Sequence, residues 1–187
     1  TGSLHTLAII SCNRRPTAEG SGESLTGPAA HMPDPRTKQT IAAALSTLAE
    51  APLERTEALL AQLCAPGLHW RGSHPINEVH GTAAVMAAGW RPLKTAFPDL
   101  ERRDLIVVGG SYEGRDYLAT VGHYCGTFQR DWLGIPAHGK PVFLRYGEVH
   151  QIAAGRIVQS NCLWDVLDVV RQAGFWPIAP SMGAEGM

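Results

Sequence analysis

Residues 134–174 read GIPAHGKPVFLRYGEVHQIAAGRIVQSNCLWDVLDVVRQAG, and the spacing of their apolar side chains changes along the stretch. After a Gly/Pro turn, alternation over 142–152 and again over 156–164 predicts two strands joined by a short turn. From Asp165 onward the apolar residues recur every three or four positions, as one face of a helix requires. Asp165 can cap this helix and Gly174 can end it. The stretch therefore predicts a hairpin of long strands followed by a short helix.

The remainder of the chain places helices before most of its strands. The apolar pattern predicts helices over 37–48, 53–63 and 82–96, a polar loop over 72–77, and strands over 68–71, 100–108 and 117–128. Helices followed by strands joined through short turns favour an α+β fold. We expect three N-terminal helices packed on a curved antiparallel sheet, which together form a cone with an apolar inner pocket.

The length of 187 residues predicts one domain with loose ends. Residues 1–36 are rich in Gly, Ser, Thr and Pro and predict a disordered leader or an added extension. The folded domain is expected over 37–177, and residues 178–187 are expected to form an irregular tail.

Charge and cysteine usage limit the classes of function. The formal net charge is −1, which argues against a nucleic-acid or membrane-surface partner. No apolar run approaches the roughly 20 residues that cross a bilayer. The four cysteines are scattered and form no CxxC pair, so free thiols in the cytoplasm are expected.

Several motifs occur in an order that is found in a known family. Gly81 precedes a helix that leads to FPDL at 97–100, GIPAHGK follows at 134–140, and RQAG closes the set at 171–174. Together with 148–157 they resemble the SnoaL-like polyketide cyclase (ester cyclase) family, within the superfamily of nuclear transport factor two. The resemblance implies a cone-shaped α+β barrel that works without a cofactor and forms oligomers, here a homodimer. It also implies intramolecular aldol chemistry on an aromatic polyketide ester.

The chain departs from the family pattern at the positions that carry its acid–base chemistry. The family places an aspartate three residues before the capping aspartate, and that position is Cys162 here. It places a histidine seven residues before the turn glycine, and that position is Glu148. Tyr124 stands where the family usually has a histidine. The resemblance therefore implies the fold more strongly than the reaction.

Alternation along the two strands of the hairpin predicts which side chains meet inside the cone. Glu148 and His150 are expected on the inner face together with Tyr146, and Cys162 on the next strand's inner face with Ser160 and Trp164. A carboxylate in an apolar chamber has a raised pKa, which would suit Glu148 to remove a proton next to a carbonyl. The alternative is a salt bridge to Arg145 or Arg156.

His150 and Asp165 are the other candidate catalytic residues. His150 could polarise a carbonyl or relay a proton, or it could be a structural histidine near a strand end. Asp165 either caps the helix or turns inward as the acid–base group. Cys162 is expected to be a small apolar filler, because burial raises the pKa of a thiol.

The expected substrate-binding residues lie at the cone mouth and along the inner strand faces. They are His69, Trp70, His74, His123, Tyr124, Trp132, Tyr146, Cys162 and Trp164. Trp70 and Trp132 could clamp a flat ring, and only one of His123 and Tyr124 can face inward. His74, Glu78 and His80 are metal-ligand types but lack a helical i, i+4 histidine pair, so no metal and no cofactor is expected.

Two functional hypotheses follow. The first is a cofactor-independent cyclase or isomerase that uses acid–base chemistry on a small, apolar, carbonyl-bearing ligand. The second is a non-catalytic relative in which the cone binds a hydrophobic small molecule or the open sheet face serves for assembly. Hydrolysis of an epoxide or lactone in the same cone is a weaker alternative.

Overall fold

The computed structural model describes residues 35–175, and those residues form five short or medium α-helices and six strands. In chain order they are α1 Pro35–Glu50, α2 Leu53–Leu63, β1 Cys64–Gly72, β2 Glu78–His80, α3 Thr82–Val85, α4 Arg91–Ala96, β3 Glu101–Tyr112, β4 Arg115–Thr127, β5 Pro141–Ala153, β6 Arg156–Trp164 and α5 Val166–Gln172. A π-helical turn, Met86–Trp90, joins α3 to α4 without a break.

The six strands form one sheet in the order β2-β1-β6-β5-β4-β3, with the N-terminal helices against its inner face. This arrangement confirms the α+β prediction. The sheet is antiparallel except for the pair β1–β6, which is parallel. Strands joined by a hairpin turn must be antiparallel. Strands β1 and β6 are separated by most of the chain, so their pairing can be parallel or antiparallel.

The predicted hairpin is strands β5 and β6, and its alternation holds along both strands. The buried side chains of β5 are Val142, Leu144, Tyr146, Glu148, His150 and Ile152. In the register of the pair, Glu148 lies opposite Cys162 and His150 lies opposite Ser160. The turn residues Ala154 and Gly155 both have positive φ, as a tight hairpin turn with the twist of its strands requires.

Strands β1, β2 and β3 differ from the sequence prediction. Strand β1 begins at Cys64 rather than at 68, and the three-residue β2 was not predicted. Strand β3 continues through Gly109 to Tyr112, although the glycines at 109–110 predicted its end. The stem of Lys38 crosses the sheet at Gly109 so closely that an added Cβ would lie 2.1 Å from Lys38 Cδ. The Lys38 side chain therefore occupies the space that glycine leaves open at this point, and the strand continues without a turn.

The helices follow their predicted bounds closely. Helix α2 and the continuous helical stretch 82–96 match the prediction, and α1 begins at Pro35, two residues before its predicted start. The predicted inward side chains of the 82–96 stretch, Val85, Met86, Trp90 and Leu93, are all buried. Asp165 caps α5, since its Oδ1 accepts a hydrogen bond of 3.0 Å from the backbone N–H of Asp168.

The predicted leader over 1–36 and tail over 178–187 lie outside the described part, except for residues 35–36, which belong to α1. Within residues 35–175, no helix combines the length and apolar character needed to cross a membrane.

Candidate active site

The inner face of the sheet meets the helices around a cavity of about 20 Å³. That volume holds roughly one water molecule. The cavity is lined by Leu45, Leu48, Leu60, Leu63, Cys64, Leu68, Trp70, Val85, Trp90, Glu148, His150, Ile157, Ser160, Cys162 and Trp164. Most of these side chains are apolar, and Glu148, His150 and Ser160 are the polar ones. The space at the predicted inner pocket is small in this structure.

Aromatic side chains fill the space that was predicted to be a pocket. Trp164 lies at their centre and makes edge-to-face contacts with Trp70, Trp90 and Tyr124, with ring centroids 5.6, 6.1 and 6.1 Å apart. Aromatic rings favour this geometry because the positive edge of one ring meets the negative face of the next. The large inward side chains that were expected to bind substrate pack against one another.

Glu148 lies at the base of this cluster with only 2% of its surface exposed. Its Oε2 accepts a hydrogen bond of 2.8 Å from Arg102 Nη1. Its Oε1 accepts hydrogen bonds from Tyr124 OH at 2.9 Å and from Trp164 Nε1 at 3.1 Å. A buried carboxylate with one cation and two further donors is fully satisfied.

These partners reverse the predicted pKa shift of Glu148. Burial alone would raise the pKa, but the charge of Arg102 and the nearby His150 outweigh burial and hold the pKa well below its usual range. The sequence prediction of a raised pKa is thus wrong, because it contained no buried cation. An ionised carboxylate of this kind is a weak proton acceptor near neutral pH. Its partner is also neither Arg145 nor Arg156, as the alternative interpretation proposed.

Arg102 is the site residue that the sequence analysis missed. Its guanidinium also donates to Thr120 Oγ1 at 2.8 Å and to Asp104 Oδ1 at 3.1 Å, and it lies 4.3 Å from the ring centroid of Tyr146. Its side chain has no exposed surface. The signal was present, because Arg102 is two residues from the apolar Leu100 in the predicted strand over 100–108 and would share its inward face.

His150 forms a hydrogen bond through one ring nitrogen and faces Glu148 with the other. Its Nδ1 lies 2.9 Å from Ser160 Oγ, a hydrogen bond between directly paired residues. Its Nε2 is 3.5 Å from Glu148 Oε2, and it is buried without a hydrogen-bond partner among residues 35–175. Buried polar atoms of this kind are rare and call for a functional or structural reason.

Cys162 lies opposite Glu148 and also lines the cavity. Burial, together with the neighbouring charge of Glu148, raises the pKa of its thiol well above the usual value. A thiol in such surroundings stays protonated and is a poor acid or nucleophile. The geometry therefore agrees with the predicted role of Cys162 as a small apolar filler.

Asp165 lies away from the cavity. Besides capping α5, its Oδ2 accepts a hydrogen bond of 2.7 Å from Arg145, and the pair is partly exposed. Both carboxylate oxygens are therefore engaged at the protein surface, and Asp165 is not among the residues that line the cavity.

The structure divides the predicted binding residues into two groups. Trp70, Cys162 and Trp164 line the cavity, and Tyr124 and Tyr146 lie beside it around Arg102. The other four residues point elsewhere or lie at the surface: His69, His74, His123 and Trp132.

Each residue of the second group has a local explanation. His123 faces outward against Phe143, because its neighbour Tyr124 takes the inward position. Trp132 is buried against Phe97 and Trp164 and forms no clamp with Trp70. His69 and His74 lie in strand β1 and in the loop after it, outside the cavity lining.

The sequence profile of SnoaL-like polyketide cyclases matches residues 42–173. The chain belongs to this family. The match begins within α1 at Ala42 and runs past the end of α5 to Ala173. No curated protein matches the sequence significantly.

Several solved structures share this fold at low identity. The SnoaL-like protein from Jannaschia sp. CCS1 is 19% identical, with a TM-score of 0.61 over 81% of this chain and 95% of its own. TsrD from Streptomyces laurentii is 22% identical, with a TM-score of 0.61 over 75% and 97%. IdmH from Streptomyces antibioticus, a proposed polyketide cyclase, is 20% identical, with a TM-score of 0.57 over 72% and 98%. At these identities the likeness concerns the fold.

Proposed function

We propose that the chain is a cofactor-independent cyclase or isomerase that acts by acid–base chemistry on a small, largely apolar, carbonyl-bearing compound. The observation that carries the proposal is His150 Nε2, a buried ring nitrogen at the cavity without a hydrogen-bond partner in the described part of the chain. Imidazole is the side chain best suited to transfer protons near neutral pH. His150 is then the proton-transfer group, in place of Glu148.

The neighbours of His150 support this division of roles. With its proton on Nδ1, the ring donates to Ser160 Oγ and leaves the Nε2 lone pair free to remove a proton next to a carbonyl. The imidazolium that forms lies 3.5 Å from Glu148, whose ionised carboxylate stabilises the positive charge. Glu148 thus acts as the electrostatic partner of the base.

The proposal requires the cavity to open. Helices α1 and α2 contribute only leucines to the cavity wall: Leu45 and Leu48 from α1, and Leu60 and Leu63 from α2. Apolar contacts are non-directional, so α1 and α2 can separate from the sheet without breaking a hydrogen-bond network at the wall. A ring compound would enter between these helices and the aromatic cluster.

Proton abstraction can be tested without knowing the natural substrate. We expect the wild-type protein to catalyse exchange of the α-hydrogens of some members of a panel of aromatic ketones and β-keto esters in D₂O, followed by NMR. His150→Gln should slow this exchange by about 10²- to 10⁴-fold, the usual contribution of a general base. The matched control is His123→Gln, at a histidine outside the cavity, which should leave the rate unchanged. Equal rates in wild type and His150→Gln would refute the assignment.

A second candidate function is assembly through the outer sheet face, in which the cone is a scaffold. Ile106, Val121 and Leu163 stand in one row across strands β3 to β6, with Gly147 between the last two. All three apolar residues are exposed, and Leu163 is exposed to 70%. A contiguous apolar row on a sheet face is typical of an interaction surface.

The occupant we propose for this face is a second copy of the chain. Light scattering after size-exclusion chromatography should give a dimer for the wild type and a monomer for Leu163→Lys, whose charge would be buried in the interface. Leu167→Lys, at an exposed residue of α5 outside the row, is the matched control and should remain dimeric. A monomeric wild type would exclude this use of the face.

A further inference from the structure

The outward face of the β1–β2 pair carries four polar side chains in a compact square. His69 pairs with His80, and Arg71 pairs with Glu78. Between them Trp70 pairs with Val79, and Trp70 points to the cavity on the opposite side of the strand. Side chains alternate along a strand, so the four polar residues share the face that lies away from the cavity.

Three donor atoms of this square converge. Glu78 Oε1 contacts His69 Nε2 and lies 3.5 Å from His80 Nε2. The two imidazole rings stack with centroids 4.4 Å apart and planes 16° from parallel. The three potential ligand atoms all lie within 4.8 Å of one another. The other carboxylate oxygen, Oε2, faces Arg71 Nε at 3.8 Å, so the carboxylate presents a single oxygen to the histidines.

We propose that His69, Glu78 and His80 form a binding site for a zinc ion. Two imidazole nitrogens and one carboxylate oxygen are a ligand set that zinc uses in proteins, with a fourth position left for solvent. Ligand atoms about 2.0–2.2 Å from a tetrahedral zinc ion lie roughly 3.3–3.6 Å apart. The separation of His80 Nε2 from Glu78 Oε1 already falls in that range. The pair His69–Glu78 would move apart slightly as the ion enters between the two groups.

The register of the strands is what creates this site. Glu78 and His80 are two residues apart on β2, and the pairing of His80 with His69 adds the third ligand from β1. The sequence analysis considered His74 in that position, but the loop holds His74 outside the cluster. Sequence spacing alone cannot reveal a ligand from a neighbouring strand.

A bound ion would stabilise the pairing of the edge strand β2 with β1. Strand β2 has three residues and pairs with β1 alone, so few hydrogen bonds hold it. An ion that binds both strands only when they are paired stabilises the folded state by mass action. The site lies on the outer face and stays distinct from the proposed proton-transfer site around His150.

Titration of the chelator-treated, reduced full-length protein with zinc chloride in a calorimeter tests the site. We expect saturable binding of about one ion per chain, weakened by more than about tenfold in His80→Ala and Glu78→Gln, since loss even of outer-shell partners costs about 10–100-fold. His74→Ala is the matched control, an exposed histidine of the same segment, and should bind zinc like the wild type. Magnesium chloride should give no binding, because magnesium prefers an all-oxygen shell.

Arg71→Gln is a variant that should change zinc affinity in the opposite direction. Removal of a positive charge beside the carboxylate should tighten zinc binding, because the ion no longer competes with Arg71 for Glu78. Zinc should raise the melting temperature of the wild type but not that of His80→Ala. The proposal is overturned if the wild type fails to saturate at about 1 mM zinc. It is equally overturned if His80→Ala and Glu78→Gln bind as tightly as His74→Ala.

Discussion

Glu148 and Glu78 each lie beside an arginine and at least one histidine, but Glu148 is in the protein interior and Glu78 is at the surface. Glu148 is 2.8 Å from Arg102 and 3.5 Å from His150, all three side chains being buried. Glu78 is 3.8 Å from Arg71 and touches His69, with about half of its surface exposed. The same residue types therefore meet in two different dielectric surroundings.

The difference between these clusters shows what burial adds to the same chemistry. In the interior, removing a charged partner leaves an uncompensated ion, and each donor must therefore be matched. At the surface, water replaces a lost partner and the pair contributes little to stability. The interior cluster is therefore committed to its partners. The surface cluster is free to exchange a contact for a metal ion.

The largest expected effect is on the buried arginine. Arg102→Leu leaves Glu148 and Asp104 without their cation and should reduce the free energy of unfolding by about 3–5 kcal/mol. Arg71→Leu is the matched surface variant and should change it by no more than about 0.5 kcal/mol. Urea denaturation followed by circular dichroism measures both. Similar decreases in the free energy of unfolding of the two variants would contradict the claim that burial separates the two clusters.

The pH dependence of stability sharpens the comparison. The pKa of Glu148 is lowered in the folded state, so its ion pair stabilises the protein above the unfolded-state pKa of about 4.3 and loses this effect as the pH falls toward the folded-state value. Glu148→Gln should be about 3 kcal/mol less stable than the wild type at pH 7. The difference in stability should shrink steadily below about pH 4.3. In that range the unfolded wild type takes up a proton at Glu148, whereas the variant has no carboxylate at this position.

The surface glutamate provides the control for that experiment. The same scans on Glu78→Gln should show a far smaller change, because solvent screens its carboxylate. A constant difference between wild type and Glu148→Gln down to pH 3 would contradict the lowered pKa of Glu148.

A smaller effect is expected from the hydroxyl group that links Arg102 to Glu148. Tyr124 OH accepts from Arg102 Nη1 at 2.7 Å and donates to Glu148 Oε1 at 2.9 Å. Tyr124→Phe should cost about 1–3 kcal/mol, because it leaves buried charged groups short of a partner. Tyr112→Phe, at an exposed tyrosine, should stay within about 0.5 kcal/mol of the wild type in the same urea titration. An unchanged free energy of unfolding in Tyr124→Phe would show that the Tyr124 hydroxyl group does not stabilise the ion pair.

Local periodicity predicted the hairpin, its turn and the capped helix because those features depend on residues close in sequence. Alternation along β5 correctly placed Glu148 and His150 on the inner face, and Asp165 correctly marked the start of α5. The glycines at 109–110 misled the strand prediction, because they lie within a continuous strand, where the distant Lys38 side chain crosses Gly109. A contact between residues that are far apart in sequence has no local signature.

The sequence by itself determined the α+β class, the family, and which side chains point inward from each strand, because period and motif order are written along the chain. Only the tertiary structure decided what those side chains meet. It brought Arg102 to Glu148 and so reversed the expected pKa shift, and it filled the cone with aromatic rings. It also set His69 beside His80 through strand register. Charge interactions depend on distance and dielectric in space, and neither quantity can be read from spacing along a chain.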